Sequence, residues 1–202
     1  CRTLQLTTRQ QTMQLPNRIF FTGVPGSKWS GIAQTLETSD AFNITDRTPE
    51  RTYTHNVYSG HKGAYFGMGM EFYPDPMNVD QAWDGGNGIK LAKSHDWAYM
   101  LDVIKPGFMD DWVMLVYRPN EVSNAWWHEA GGFEITYPNY EHYKNSENMY
   151  SAIQEQNNNI LKFAHKHDAT WNYFTTKWIK NTFGLDIEVN NMYDDILVSI
   201  IK

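Results

Sequence analysis

The chain has a single cysteine, Cys1, so no internal disulfide can form, which fits a reducing, cytoplasmic setting. It also lacks an excess of positive charge: 17 Lys and Arg against 23 Asp and Glu leave a formal net charge of −6. A general nucleic-acid binder needs a basic face to meet phosphates, so that class is disfavoured, while a local basic pocket for a small anion is not. No apolar run approaches the roughly 20 residues that a membrane helix needs. The start, "CRTLQLTTRQQTMQLPNR", lacks the apolar core of a signal peptide, and without an initiator Met the numbering is expected to begin inside a longer product. His55, His61, His142, His165 and His167 show no metal-ligand spacing, and "HKHD" reads as a solvated helix end, so no metal is expected.

What is present suffices for a core. Hydrophobic residues at 41% and aromatics at 15% exclude a disordered chain, and 202 residues suit one domain. A single domain over 1–202 is therefore expected, with an N-terminal extension at 1–16 and loop-rich insertions at 39–87 and 131–147.

Three short apolar runs read as strands: "RIFFTGV" (18–24), "GIKLAKS" (88–94) and "DWVMLVY" (111–117). The last is nearly continuous, the mark of a strand covered on both faces. Each precedes a helical pattern: Trp29, Ile32, Ala33 and Leu36; then Trp97, Leu101 and Ile104; then Pro119 to the Gly131–Gly132 stop. Between the first helix and residue 88 the pattern dissolves into loops with one short helix. A long helix places Met149, Ile153, Ile160, Leu161 and Ala164 on one side. "ATWNYF" is a fourth strand candidate, Thr175 or Thr176 can cap "KWIKNTFGL", and "ILVSII" is an edge strand or packs on the body. Alternating strands and helices predict an α/β fold, with a mainly parallel central sheet flanked by helices.

Ligands of such sheets sit at the carboxyl ends of the strands, so three short segments matter. The first, "GVPGSKWS", offers glycines, a helix N-terminus and Lys28: a phosphate or sulfate cradle, or an ordinary turn with a solvated lysine. In the second, "KSHD", Lys93 and His95 are two apart on a strand end and are expected on one side. His95 is either a general base near working pH or a packed or capping residue. In the third, "YRPNEVSN", Arg118 at the end of a buried strand needs an anion, whether a phosphate or an Asp or Glu from a neighbouring loop. Ser123 lies about one helical turn beyond Pro119.

No strand ends in a carboxylate, and Lys28 stands five places after Gly23 where G-x-x-x-x-G-K-[ST] has its second Gly. A P-loop kinase needs both features, so transfer of an anion without a metal fits better, with a small-molecule or nucleotide kinase as the alternative.

The order "TGVPGSKWSGI … KLAKSH … WVMLVYRPNEVSNAWWH" resembles the sulfotransferases that use 3′-phosphoadenosine 5′-phosphosulfate (PAPS), over about Arg18 to His128. The resemblance implies a P-loop-like three-layer sandwich. It implies that Pro25, Gly26, Ser27, Lys28, Trp29 and Ser30 grip the 5′-phosphosulfate, and that Arg118 and Ser123 hold the 3′-phosphate. Lys28, Lys93 and His95 would then be catalytic, with His95 as the base. The chain departs from the family's pattern in placing Gly26 at the basic position and the lysine two places later. Arg118 is followed at once by Pro119, Ala125 falls where the family has Ser, and the C-terminal Arg-Lys-Gly segment has no clear copy. The activity implied is sulfuryl transfer from PAPS to a hydroxyl or amine of a small-molecule or carbohydrate acceptor. A degenerate member that only binds is the other alternative. The aromatics of "GAYFGMGMEFYP" and "AWWHEAGGFEITYPNYEHY" suit sugar rings or phenols, about half of them serving as core.

Overall fold

A computed structural model describes residues 14–48, 51, 67–71, 73–132 and 145–202. The expected extension at 1–16 lies almost wholly outside these residues. So do His55, His61, His142 and most of the aromatic residues in the two stretches at 63–74 and 125–143.

Strand β1 (Arg18–Thr22) leads through a tight loop into α1 (Trp29–Leu36). Strand β2 (Lys90–Lys93) is followed by a 3₁₀ turn (His95–Tyr99) and α2 (Leu101–Gly107). Strand β3 (Trp112–Tyr117) leads to α3 (Asn120–Glu129). The long α4 (Ser146–Lys166), β4 (Asn172–Tyr173), α5 (Thr176–Phe183) and β5 (Leu197–Ile201) complete the described chain. No helix among the described residues is long and apolar enough to cross a membrane.

The sheet runs β2-β1-β3-β5-β4 and is mixed rather than mainly parallel. β1 pairs in parallel with β2 (Phe20 opposite Ala92) and with β3 (Phe20 opposite Val113). β5 then enters antiparallel to β3, and β4 antiparallel to β5. The tail "ILVSII" is thus an interior strand. It fits there because Val198, Ser199 and Ile201 are buried, and the Ser199 hydroxyl donates to the Thr170 carbonyl at 2.9 Å. Two exposed residues, Asn172 and Tyr173, make the edge.

The near-continuous apolar runs are explained by two cores. Phe20, Ala92, Val113 and Leu115 face Trp97, Ile104 and the Met149–Ile153–Ile160 side of α4. Ile19, Phe21, Leu91, Met114 and Val116 face Ile32 and Leu36 of α1 and Trp178, Ile179 and Phe183 of α5. Alternate residues of each strand feed opposite cores. Leu161, expected on the buried side of α4, is instead exposed. Asn145 caps α4 by accepting from Asn148 N at 2.9 Å. Thr175 caps α5 by accepting from Trp178 N at 3.1 Å, and Gly184 ends it in a left-handed turn. Pro119 sits just ahead of α3 rather than inside its first turn. Of the stretch 39–87, the described part holds a 3₁₀ turn (Val79–Ala82), Arg51 in a helical position, and isolated bridges such as Asp46 with Trp83.

Candidate functional site

Because β2, β1 and β3 are parallel, their carboxyl ends lie at one end of the sheet. The loop after β1 closes with Ser27 N donating to Val24 O at 3.0 Å. Two of its residues are left-handed, Gly26 (φ 77°) and Lys28 (φ 61°). Gly26 must be glycine on a second count as well. A Cβ there would stand 1.9 Å from the carbonyl oxygen of Ser123, so the loop lies directly on the start of α3.

Ser27 is fully buried, and its hydroxyl has no hydrogen-bond partner. Native interiors seldom leave such a group unmatched. Pro25 is buried beside it and Ser30 is half-buried in the first turn of α1. Trp29 belongs to the core, its ring 5.8 Å from that of Phe21.

Lys28 occupies the N-cap position of α1 but its side chain leaves the helix. Its Nζ donates to the Met192 carbonyl at 2.7 Å and lies 4.3 Å from the centre of the Trp126 ring. Partial burial, and then the Arg118 guanidinium, push the Lys28 ammonium below the usual lysine range, against the pull of Asp195 and Glu129.

Arg118 is the second cation here. Its Nε and Nη2 donate to one oxygen of Asp195 at 2.8 and 2.6 Å, and its Nη1 donates to the Gly26 carbonyl at 3.3 Å. Its own carbonyl accepts from Asn157 Nδ2 at 2.9 Å and from the Ser123 hydroxyl at 3.3 Å. Ser123 is therefore turned toward the backbone. The structure does bring Gly26, Ser27, Lys28, Arg118 and Ser123 together.

It separates Lys93 from His95. β2 ends at Lys93, so strand alternation stops before His95 and the expected shared side is lost. Lys93, fully buried, lies 3.2 Å from Glu37 Oε1 and 3.5 Å from Asp46 Oδ2. His95 turns toward α4, with Nδ1 at 3.1 Å from both Gln156 Nε2 and Asp96 Oδ1. Its Nε2 is 3.9 Å from Glu71 Oε1, and the residue is only 3% exposed. The Gln156 amide and the Asp96 carboxylate both fix the ring through Nδ1, and which nitrogen carries the proton follows from which of the two Nδ1 engages. Ser94 shapes this corner by accepting from Asp96 N at 3.1 Å and donating to the Glu71 carbonyl at 2.6 Å.

Sequence reasoning did not single out Glu37, Asp46, Glu71 or Asp195. The signal for two of them was present: a lysine within an apolar strand and an arginine at the end of another each demand a carboxylate.

A cavity of about 790 Å³ opens at the amino ends of β1 and β2, away from this loop, beside Arg18, Asp80, Lys90 and Asp111. Its cations are paired there, Arg18 with Asp111 and Asp80, Lys90 with Asp80.

Compared with family models, with curated proteins and with solved structures, the chain gives no match.

Proposed function

We propose that the 23–28 loop binds the phosphosulfate of PAPS and that the protein transfers its sulfuryl group to a hydroxyl or amine of a small-molecule or carbohydrate acceptor. The fold is then read as a P-loop-like sandwich and the protein as cytoplasmic. One observation carries the anion site: a fully buried Ser27 hydroxyl without a partner, between two left-handed residues at the N-terminus of α1. A hydroxyl donor, helix N–H groups and Lys28 in the loop, with Arg118 from the end of β3 beside it, match the needs of a phosphate or sulfate. The PAPS assignment rests on the resemblance of the three strand ends.

In the proposed step the acceptor oxygen or nitrogen attacks sulfur and the bond from sulfur to the bridging phosphate oxygen breaks. Adenosine 3′,5′-bisphosphate leaves with the electron pair, and the acceptor's proton passes to the His95 imidazole. Lys28 and Arg118 stabilise the negative charge on the departing group. Lys93, held by Glu37 and Asp46, positions the end of β2.

A second reading, a related fold that binds without transfer, is favoured by the engagement of Lys28, Lys93 and Arg118 with the chain's own oxygens. The experiment is a thermal shift with adenosine 3′,5′-bisphosphate and with ATP–Mg²⁺, followed by transfer from labelled PAPS. Transfer should occur and fall about 100-fold or more in His95→Ala. Turnover undiminished in both His95→Ala and Lys28→Ala sinks the assignment. A bisphosphate shift without transfer supports the second reading, and a shift with ATP–Mg²⁺ alone supports a kinase.

A further inference from the structure

We infer that residues 190–196 are an intrachain plug that occupies the anion seat with the chain's own oxygens and is displaced when a phosphate-bearing ligand binds. This inference rests on the reading of the 23–28 loop as an anion seat.

The segment joins α5 to β5 through a short 3₁₀ turn, Asn191–Tyr193, capped by Asn190, whose side chain accepts from Met192 N at 3.0 Å. The segment sets one acceptor on Lys28 of the loop and another on Arg118 beside it. The Met192 carbonyl takes the Lys28 ammonium at 2.7 Å, and one oxygen of Asp195 takes two N–H groups of Arg118 at 2.8 and 2.6 Å. Between them Tyr193 is buried, its ring edge-on to Phe174 at 5.8 Å. Its hydroxyl fills the space over Gly31, where a Cβ would come within 2.5 Å. The turn is therefore seated on the first turns of α1, directly over the candidate anion loop.

Exposure indicates the direction of approach. The Arg118 side chain is 7% exposed, whereas that of Asp195 is 49% exposed. The carboxylate thus covers the guanidinium from the solvent side, the side from which a dissolved anion would arrive. An anion that reaches the fork must take the place of Asp195.

The chemistry makes that exchange feasible. A nearly buried guanidinium left without an anion is costly, so the seat needs a negative partner at all times. Replacing a carboxylate by a phosphate keeps the charge pairing and adds acceptor oxygens, which suit the fork and the loop together. The released Asp195, already half-exposed, returns easily to water. The Met192 carbonyl is a neutral acceptor and yields Lys28 to a charged oxygen. The far end of the segment stays fixed, since Phe174 N donates to the Ile196 carbonyl at 3.1 Å. The turn ahead of Ile196 is what moves.

A plug that competes with the ligand lowers its apparent affinity by the fraction of molecules that are open. The test is isothermal titration of the wild type and Asp195→Asn with inorganic pyrophosphate and with adenosine 3′,5′-bisphosphate. Hydrogen exchange of residues 190–196 in the wild type, with and without saturating pyrophosphate, accompanies it and needs no variant. The expected results are binding of both ligands about tenfold tighter in Asp195→Asn, and faster exchange at Met192–Asp195 when pyrophosphate is bound. If adenosine 3′,5′-bisphosphate binds the wild type but neither affinity nor exchange changes, the plug is overturned and the functional reading stands. If pyrophosphate tightens and exchange rises while the bisphosphate binds no better and PAPS is not turned over, the plug stands and the PAPS reading fails. If neither ligand binds either protein, both fall.

Discussion

Lys93 Nζ lies 3.2 Å from Glu37 Oε1, with the lysine side chain fully buried and the glutamate side chain 3% exposed. Asp46 Oδ2 stands 3.5 Å from the same ammonium, and Arg51 reaches both acids, 2.7 Å from Glu37 and 2.5 Å from Asp46. The Thr48 hydroxyl donates to Asp46 at 2.6 Å. Two cations and two carboxylates thus interlock beside β2. Removing the fully buried Lys93 cation leaves two carboxylates in a dry site, which typically costs about 3–5 kcal/mol. Lys93→Met is expected to lose that much in urea unfolding at pH 7. A Lys93→Met protein as stable as the wild type would show that the network does not hold β2 in place.

The two carboxylates of this network should answer differently to pH. Burial pushes the Glu37 carboxyl up and outweighs the pull of Lys93 and Arg51. Burial also pushes on Asp46, but Lys93, the Thr48 hydroxyl and Arg51 together outweigh it and hold that carboxyl below the usual range. A depressed folded pKa contributes stability above the ordinary Asp value, and that stability is lost as pH falls through the folded value. A raised one contributes below the ordinary Glu value and is lost as pH rises through the folded value. At pH 7, Asp46→Asn should therefore cost about 3 kcal/mol and Glu37→Gln about 1 kcal/mol. The Asp46→Asn deficit should shrink in strong acid, where wild-type Asp46 takes up its proton. Urea titrations of both variants at pH 7 and in the acid range measure this, and equal losses at every pH would contradict it.

Much of the parallel half of the fold was legible because β1 and β3 are buried on both faces, leaving unbroken apolar runs. The mixed half was not. "ILVSII" is apolar enough for an interior strand, but nothing local records that its neighbours are β3 and β4 or that it runs against β3. The parting of Lys93 and His95 turned on where β2 ends, a boundary that alternation cannot locate to one residue. At the site, the demand of Arg118 for an anion was legible. Its answer, Asp195, stands 77 residues away, and only the tertiary fold brings it near.

Gly26→Ala should damage the loop whatever ligand it takes. The φ of 77° is strained for any residue with a Cβ, at about 1–3 kcal/mol. The added carbon would also meet the Ser123 carbonyl at 1.9 Å, a backbone atom that cannot swing aside. A fall in melting temperature is expected, together with loss of adenosine 3′,5′-bisphosphate binding. By contrast, Gly85→Ala has open space around its Cβ although its φ is 110°, so it should show the strain without the clash. The two variants, compared by thermal melting, separate the effects. Equal losses would mean that contact between the loop and α3 adds nothing.

Ser27→Ala offers the opposite combination of signs. In the free protein the Ser27 hydroxyl is buried without a partner, so its removal relieves a desolvation cost and should stabilise by about 1 kcal/mol. If the hydroxyl exists to donate to a bound anion, the same change should weaken adenosine 3′,5′-bisphosphate binding about tenfold. A residue that serves packing alone would move stability without touching affinity. Urea unfolding of the free variant gives the first quantity and isothermal titration the second. Stability that rises while affinity falls is the expected result, because a site kept ready for a ligand holds its donors unsatisfied until the ligand comes. A variant that is less stable and binds the bisphosphate as well as the wild type would remove Ser27 from the anion site.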